Sequence, residues 1–319
     1  MNKAVKRTWK ERLLNVEPVV YMLLAIIITF SFTGENFFSL SNLMNIVKQA
    51  SPFLILALAE TMAILIGQID LSVGNNMAFC TVIVALVMRM GLPWPLAALV
   101  GVAVGALCGF LNGILIARWK VPAYITTFGL GTMFYGWGSL ITNGESIPAL
   151  NSSFRFIAEG SVLKIPMVLI LAVAVFLLVK LLIDRTPFGR NMYGLGGNRE
   201  ALFLSGINVV KAETLVFTVG GVLVGIAGVI FAARSASGHP DYGKQWEFNA
   251  IAATIIGGNS FSEGRGDIFK TVLGVILIQI LKTGLNISGV SPQAQSFLMG
   301  LIVVVAISID VSIKLRKEN

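Results

Sequence analysis

Charged residues are scarce in this chain of 319 residues: they make up 13% of the sequence, whereas 55% of it is hydrophobic. A soluble globular domain carries about 25% charged residues, so the composition excludes an ordinary soluble protein. Long apolar runs recur from end to end, each near the roughly 20 residues that a helix needs to cross a bilayer. The runs do not alternate apolar and polar residues, which excludes a transmembrane barrel. The sequence predicts an all-α polytopic membrane protein.

Side chains suited to catalysis or metal binding are equally rare. The sequence has one histidine, His239, and two cysteines, Cys80 and Cys108. Both cysteines lie in apolar runs and are typical of core residues rather than of a disulfide or metal pair. A Gly-rich segment, "GGNSFSEGRG", lacks the Gly-Lys-Ser/Thr ending of a phosphate-binding loop. We therefore predict no enzyme activity, no ATPase site, no metal and no cofactor bound by this chain.

Ionisable residues are almost missing from the apolar runs. Only Glu60 lies well inside one, while Lys180 and Lys282 lie near the ends of theirs. Carriers driven by protons or sodium usually keep such groups at mid-membrane. An ion-coupled secondary carrier for a small neutral solute is therefore weakly supported, but it remains the alternative, as do a membrane-embedded enzyme and a structural scaffold.

The net charge of +8 comes from Lys and Arg residues placed at the ends of the runs. This placement is typical of cytoplasmic loops and gives no reason to expect a nucleic-acid partner. It puts both termini in the cytoplasm, with tails at 1–17 and 314–319 and a single membrane domain at 18–313 that contains a cytoplasmic loop at 185–209. About ten transmembrane helices are predicted, at 18–33, 50–69, 73–90, 94–117, 122–142, 166–184, 210–233, 249–262, 268–287 and 294–313. The eighth is short enough that it need not cross fully.

Two of the predicted spans are rich in glycine. The fourth carries glycines at every fourth position, which lets another helix approach closely. Packing within the chain is favoured over a dimer contact. The fifth span interleaves glycines with aromatic residues, of which Phe128 and Tyr135 are candidates for a translocation path, although core or lipid-facing positions are the more common role. The glycines of the fourth span are Gly101, Gly105, Gly109 and Gly113.

A short helix is predicted in the cytoplasmic loop from "GGNREALFLSGIN" (196–208). Asn198 can cap it, Glu200 suits its positive N-terminal end, and Gly206 permits a left-handed stop. Apolar residues at 201–204 point all round the helix, since successive residues turn by about 100°. The membrane domain can cover one side. A cytoplasmic partner would cover the other, unless the helix is buried within the chain.

The segment "IDLSVG" lies between the second and third spans. Asp70 or Ser72 can cap the helix that begins near Val73, and Gly74 gives backbone freedom. A tight turn between spans explains the segment, and so does a helix break beside a water-lined path. The late "GGNSF" segment would then be the counterpart of this break in an inverted repeat.

Several motifs, in one order, resemble the permease subunits of bacterial carbohydrate ATP-binding cassette (ABC) importers of the ribose, xylose, arabinose and autoinducer-2 type. They are "GQIDLSVGNNMA" (67–78), "LNGILIARWKVPAYITTFG" (111–129), "TNGESI" (142–147), "RTPFGRNMYGLGGNREALFLSGINV" (185–209) and "NAIAATIIGGNSFSEGRG" (249–266). The resemblance implies a permease domain in the bacterial inner membrane. It implies four kinds of partner: a cytoplasmic ATPase that binds ATP and Mg, an extracytoplasmic sugar-binding protein, membrane lipid, and a second copy of the chain or a homologous permease.

The resemblance also implies roles for particular residues. ABC importers carry a coupling helix of the form Glu-Ala-Ala-x-x-x-Gly, which Glu200, Ala201 and Gly206 match, with Leu202 in place of the second Ala. The substrate would be a monosaccharide, with a ribose-like pentose expected. Basic residues in the external loops 143–165 and 234–248, namely Arg155, Arg234 and Lys244, are candidates for docking the binding protein, although solvated loop charges explain them at least as well. The expected coupling residues are Asn198, Arg199, Glu200, Ala201, Leu202, Phe203, Leu204, Ser205, Gly206 and Ile207. The expected path or helix-break residues are Asp70, Ser72, Gly74, Phe128 and Tyr135.

Overall fold

The computed structural model describes residues 18–33, 37–149, 151–261 and 263–318. The described part is mainly helical, as predicted. Its helices are α1 (Pro18–Thr33), α2 (Leu40–Leu65), α3 (Val73–Arg89), α4 (Trp94–Trp119), α5 (Ala123–Thr142), α6 (Ser152–Glu159), α7 (Met167–Arg185), α8 (Pro187–Gly197), α9 (Arg199–Leu204), α10 (Val209–Ser235), α11 (Trp246–Ile256), α12 (Ile268–Ile287) and α13 (Pro292–Glu318).

Short strands form two antiparallel pairs. β1 (Ile147–Pro148) pairs with β4 (Ser237–Gly238), and β2 (Ser161–Val162) pairs with β3 (Ile165–Pro166). A 3-10 turn occupies Pro240–Gly243. The first pair joins two segments that the sequence places in separate external loops.

Six of the described helices are long and apolar enough to cross a membrane: α2, α4, α7, α10, α12 and residues Pro292–Ser312 of α13. Each of the ten predicted spans contains a helix, but the number that cross remains a prediction. α11 has 11 residues, or about 16 Å at 1.5 Å per residue, half of the hydrocarbon thickness. It is therefore too short to cross by itself. Throughout, "inner" denotes the side on which the predicted orientation places the cytoplasm, and "outer" denotes the opposite side.

The second predicted span differs from the structure in its limits. The sequence predicts 50–69, whereas α2 covers Leu40–Leu65 and contains Pro52. The first turns contain polar residues, among them Asn42, Lys48 and Gln49. These residues lower the local hydropathy, so hydropathy alone does not show where the helix begins. The later half, from Ser51 onward, is almost wholly buried and forms the centre of the core.

α4 and α10 pack closely along their glycines. A Cβ atom added to Gly105 would lie 2.6 Å from the carbonyl oxygen of Gly221, and one added to Gly113 would lie 2.8 Å from Thr214 Cα. Side chains would therefore force the two helices apart. The glycines of the fourth predicted span pack within the chain, as favoured from the sequence.

The terminal tails are only partly described. The predicted tail at 1–17 lies outside the described residues. At the other end, α13 continues to Glu318, so most of the tail predicted at 314–319 extends the last helix.

Candidate functional site

α9 has the caps that the sequence predicts. The Ala201 backbone N–H donates to Asn198 Oδ1 at 2.8 Å, and Glu200 lies in the first turn. Gly206 has φ +81°, in the left-handed region that favours glycine. The chain therefore closes a single short helix between α8 and α10.

The two sides of α9 have different surroundings. Leu202 is partly buried against the core, and a Cβ added to Gly194 of α8 would lie 2.8 Å from its side chain. Phe203 and Leu204 are 63% and 77% exposed. One side of α9 is thus packed on the membrane domain, while two large apolar side chains at its end have no cover within the described chain.

Arg199 connects α9 to a buried acid. Its guanidinium lies 2.5 Å from Glu213 Oε2 at the inner end of α10, and the Glu213 side chain is only 2% exposed. The second carboxylate oxygen accepts from Gln68 Nε2 at 3.2 Å. Sequence reasoning missed Glu213 and Gln68. The available signal was an acid in the first turns of an apolar helix, which needs a partner when buried.

A cavity of about 380 Å³ opens beside this cluster. It lies between α9, the end of α4 and the beginning of α5, and Gln68, two residues before Asp70, also lines it. Its lining is formed by Gln68, Ile116, Lys120, Val121, Pro122, Ala123, Arg199 and Glu213.

The "IDLSVG" segment forms a hydrogen-bonded turn between α2 and α3. Asp70 Oδ1 accepts from the Ser72 backbone N–H at 2.8 Å and from Ser72 Oγ at 2.6 Å. Ser72 Oγ accepts in turn from Asn112 Nδ2 at 2.8 Å. Ser72 occupies the N-cap position of α3, but neither predicted side chain caps the helix: the backbone at Ser72 is already helical, and its hydroxyl is held by Asp70 and Asn112. The capping prediction is wrong, because Asp70 stabilises the turn and not the helix end.

This turn lies inside the helical layer. Leu71 N–H donates to Thr127 Oγ1 at 3.0 Å, and a Cβ on Gly131 would lie 3.0 Å from Ser72 Cα. Gly131 is about 12 Å from the inner end of α5 at 1.5 Å per residue. The segment is therefore a tight turn between α2 and α3 that lies below the end of the helical layer, and a role beside a water-lined path stays a prediction. Buried polar partners satisfy its backbone, as a break within a membrane requires.

The late "GGNSF" segment is a second break, between α11 and α12. Asn259 is buried; its Nδ2 donates to Thr254 O and Thr271 Oγ1, both at 3.0 Å, and its Oδ1 accepts from Asp267 N–H at 2.7 Å. Thr61 Oγ1 lies 2.7 Å from Thr271 Oγ1. Sequence reasoning named the segment but missed these residues, of which Thr61 lies 210 positions from Thr271 in the chain.

Consecutive residues of α2 touch both breaks. Glu60 Oε1 accepts from the Asp70 backbone N–H at 3.3 Å, and Thr61 reaches Thr254 and Thr271 beside the second break. Both α2 side chains are fully buried. The central helix therefore ties together the two interruptions of the bundle.

The three basic residues predicted for docking have separate partners. Arg155 pairs with Glu159 at 2.7 Å on the surface of α6. Arg234, at the outer end of α10, donates to the Lys48 carbonyl at 3.4 Å. Lys244 pairs with Asp241 at 2.9 Å. The contacts do not bring the three together around one group.

The remaining predicted path residues lie on α3 and α5. Phe128 is exposed, and Tyr135 is partly buried with Lys244 Nζ 5.6 Å from the centre of its ring. Gly74 packs against the 3-10 turn at Gly243. His239, the only histidine, has a structural contact: its Nδ1 accepts from the Asp241 backbone N–H at 3.0 Å.

Comparison with known proteins gives the family. A sequence profile described as "Branched-chain amino acid transport system / permease component" matches residues 42–307. No solved structure matches.

Several curated relatives cover nearly the whole chain. A ribose import permease protein of Bacillus subtilis is 36% identical over 290 residues, 90% of each chain. A D-allose transport system permease protein of Escherichia coli is 36% identical over 293 residues, 91% of this chain and 90% of the relative. A galactose/methyl galactoside import permease protein of Salmonella typhimurium is 33% identical over 339 residues, 100% of this chain and 99% of the relative. The chain therefore belongs to the carbohydrate ABC importer permeases of the ribose type, multi-pass proteins of the bacterial inner membrane.

Proposed function

We propose that this chain is the transmembrane permease subunit of an ABC importer that translocates a monosaccharide. A separate cytoplasmic ATPase, which binds ATP and Mg, would supply the energy, and an extracytoplasmic binding protein would deliver the sugar. The names of the relatives support this proposal, since they refer to ribose, allose and galactose. A ribose-like pentose is the substrate that we propose first.

The observation that carries the proposal is the surface of α9. Phe203 and Leu204 are large, apolar and exposed at the end of a well-capped helix. An apolar side chain of this size gains about 1.5–3 kcal/mol on full burial. A groove on the ATPase would provide that burial. Residues 198–207 would then form the coupling helix.

The ion pair between Arg199 and Glu213 suits a coupling role. It connects α9 to the inner end of α10 and, through Gln68, to the break at Asp70. Movement of α9 on ATP binding would therefore be transmitted to α10 and to the segment between α2 and α3. The spans would alternate their access in response.

The path would pass the helix breaks and the flank of α5. Asp70, Ser72 and Gly74 would form its inner part, and Phe128 and Tyr135 would face it. Arg155, on the external helix α6, is the proposed docking cation for the binding protein, and Arg234 a further one. A path of this kind should hold the sugar weakly, because tight binding would slow release.

One observation favours the alternative, an ion-coupled secondary carrier. Glu60 Oε2 is buried and has no hydrogen-bond partner among the described residues. A carboxyl group inside a membrane domain can bind and release a proton during a transport cycle. A carrier of this kind would need no ATPase.

Purification of the tagged chain from native membranes, followed by uptake in liposomes, distinguishes the two functions. We expect an ABC ATPase to copurify in stoichiometric amount. Sugar uptake should require ATP inside the liposomes and should persist when the proton gradient is collapsed. Transport by the chain alone, without ATP and abolished by an uncoupler, would establish the carrier and exclude the importer.

A further inference from the structure

The segment 237–245 does not form the external loop that the sequence predicts. It runs along α3, in the direction opposite to that helix. His239 N–H donates to Thr81 Oγ1 at 3.3 Å, and a Cβ on Gly138 of α5 would lie 3.6 Å from Pro240. Gly243 then packs directly on Gly74, at the beginning of α3. The segment thus descends between α3 and α5.

The depth of its lower end follows from α5. Lys244 lies beside Tyr135, which is about 10 Å below the outer end of α5 and about 18 Å above the inner end, at 1.5 Å per residue. The whole helix is about 30 Å long, the thickness of the hydrocarbon layer. With α5 spanning the layer, as the sequence predicts, the Lys244 ammonium lies well within it and not at the surface.

The ion pair between Asp241 and Lys244 is exposed at the surface of the chain. Lys244 Nζ lies 2.9 Å from Asp241 Oδ1, and the two side chains are 58% and 43% exposed. Charged residues at membrane depth face the bundle interior or water, and irregular backbone is tolerated there only where it is buried in protein or lines a water-filled cavity. The exposed pair, on a segment with a 3-10 turn and a left-handed residue at Gln245, fits a wet surface and not a lipid-facing one.

The neighbouring flank of α5 also presents exposed side chains, several of them polar. Phe128, Thr132, Tyr135 and Ser139 follow one another at spacings of four, three and four residues, so they form one stripe on the helix. Three of them carry hydroxyl groups. Phe128 and Thr132 are exposed, while Tyr135 and Ser139 are partly so. The stripe therefore offers both an aromatic face and hydroxyl groups beside the ion pair.

We propose that Asp241, Lys244 and Tyr135 form a contact site for a neutral polyhydroxylated solute within the translocation path. The carboxylate accepts hydrogen bonds from hydroxyl groups, and the ammonium donates to hydroxyl oxygens. The tyrosine ring offers an apolar face to the C–H groups of a sugar and a hydroxyl group at its tip. The pair has no net charge, which suits an uncharged substrate. The inference rests on the proposed function, and it assigns Lys244 to the path and not to docking.

The test compares two double variants in liposomes that contain the full importer: permease, ATPase and binding protein. Asp241→Asn with Lys244→Gln removes both charges and leaves neither unpaired. Lys180→Gln with Asp184→Asn is the matched control, since this partly exposed pair, 2.7 Å apart, lies at the inner end of α7 away from the site. The sugars are radiolabelled D-ribose, D-allose and D-galactose. The measured quantities are ATP hydrolysis stimulated by loaded binding protein and sugar accumulated per ATP.

We expect the first variant to keep stimulated hydrolysis and to accumulate about tenfold less sugar per ATP, the effect of losing one hydrogen bond to a charged group. The control should match the wild type. Unchanged sugar per ATP in the first variant would overturn the site. Loss of stimulation together with loss of binding-protein binding would also overturn it, in favour of a docking role for Lys244. A wild-type complex that accumulates none of the sugars with ATP would instead overturn the proposed function.

A second measurement does not depend on the partners. The chain has only two cysteines, both buried, so Lys244→Cys would be the single accessible thiol. In sealed right-side-out vesicles, a charged, membrane-impermeant methanethiosulfonate reagent should modify Lys244→Cys and should leave Met133→Cys, which is exposed on the other side of α5, largely unmodified. Equal and slow modification of both would show that the surface at Lys244 is dry and would overturn the inference.

Discussion

Arg199 and Glu213 form an ion pair of 2.5 Å between the short helix α9 and the inner end of the long helix α10. The two partners differ in environment: the arginine side chain is 41% exposed, whereas the glutamate is 2% exposed. The pair is thus a point where the surface of the protein is connected to its core. Gln68 extends the connection to the segment that precedes the first helix break.

Arg199→Gln should reduce both stability and coupling. The substitution leaves Glu213 buried with Gln68 as its remaining partner, which costs about 1–3 kcal/mol, less than for a fully buried pair because solvent reaches the arginine. The double variant Arg199→Gln with Glu213→Gln should recover part of this stability, since it leaves no unpaired charge. Thermal unfolding in detergent of Arg199→Gln, Glu213→Gln and the double variant completes a double-mutant cycle.

Measurement of sugar uptake by the same variants tests the coupling role. We expect the double variant to regain stability but not sugar uptake, because the link between α9 and α10 stays broken. Full uptake by the double variant would show that the pair serves stability alone.

Substitutions at the exposed end of α9 should separate binding of the ATPase from folding. Phe203→Ser and Leu204→Ser remove apolar side chains that touch little of the described chain, so the unfolding temperature should change little. Copurification of the ATPase should fall strongly, because these side chains would fill its groove. Leu163→Ser is the control, since Leu163 is also large, apolar and exposed, but lies in the segment 143–165 that the sequence predicts to be an external loop. An ATPase yield equal to that of the control would contradict the coupling assignment.

The left-handed backbone at Gly206, just after the end of α9, allows a complementary test. Gly206→Pro cannot adopt φ +81°, and Glu200→Arg places a positive charge at the positive end of α9. Both should abolish uptake and leave membrane insertion intact, as measured by uptake in cells and by the amount of chain in washed membranes. Full transport by both variants would refute the role of this helix.

Asn259 should matter for stability more than its position in a Gly-rich loop suggests. Asn259→Ala removes a donor to Thr254 and Thr271 and an acceptor from Asp267, and leaves buried polar groups unpaired. We expect a loss of about 1–3 kcal/mol in the free energy of unfolding. Asn208→Ala, which removes an exposed cap of α10, should cost about 1 kcal/mol. A smaller loss at Asn259 than at Asn208 would contradict the structural role of the second break.

Hydropathy and helix-cap residues were enough to predict much of this fold from the sequence. The predicted spans 94–117 and 166–184 lie within a residue or two of α4 and α7, and the caps of α9 at Asn198 and Gly206 have the expected geometry. These features depend on residues that are neighbours in the chain, so the local sequence contains the information.

The features that were missed depend on residues that are distant in the chain. Glu213 finds Gln68, which is 145 positions away in the chain, only after α10 has packed beside the end of α2. Segment 237–245 contains His239, Asp241 and Lys244, and its polarity alone predicts an external loop. It lies inside because glycines at 238 and 243 let it pack directly on α3. No periodic pattern of residues in the sequence predicts such a close approach.

The glycines between α4 and α10 give the most direct test of the packing. Gly221→Leu would place a side chain against Gly105 and Gly109, where even a Cβ has no room, and should prevent close approach of the two helices. Gly136→Leu is the matched control, because a Cβ at Gly136 has nothing within 4 Å among the described residues. We expect Gly221→Leu to give a chain that inserts but is cleaved rapidly by protease in detergent, whereas Gly136→Leu resists cleavage as the wild type does. If the control were instead the sensitive variant, its face of α5 would be a contact with a second permease and not an open surface. If neither were sensitive, the close packing of α4 on α10 would be refuted.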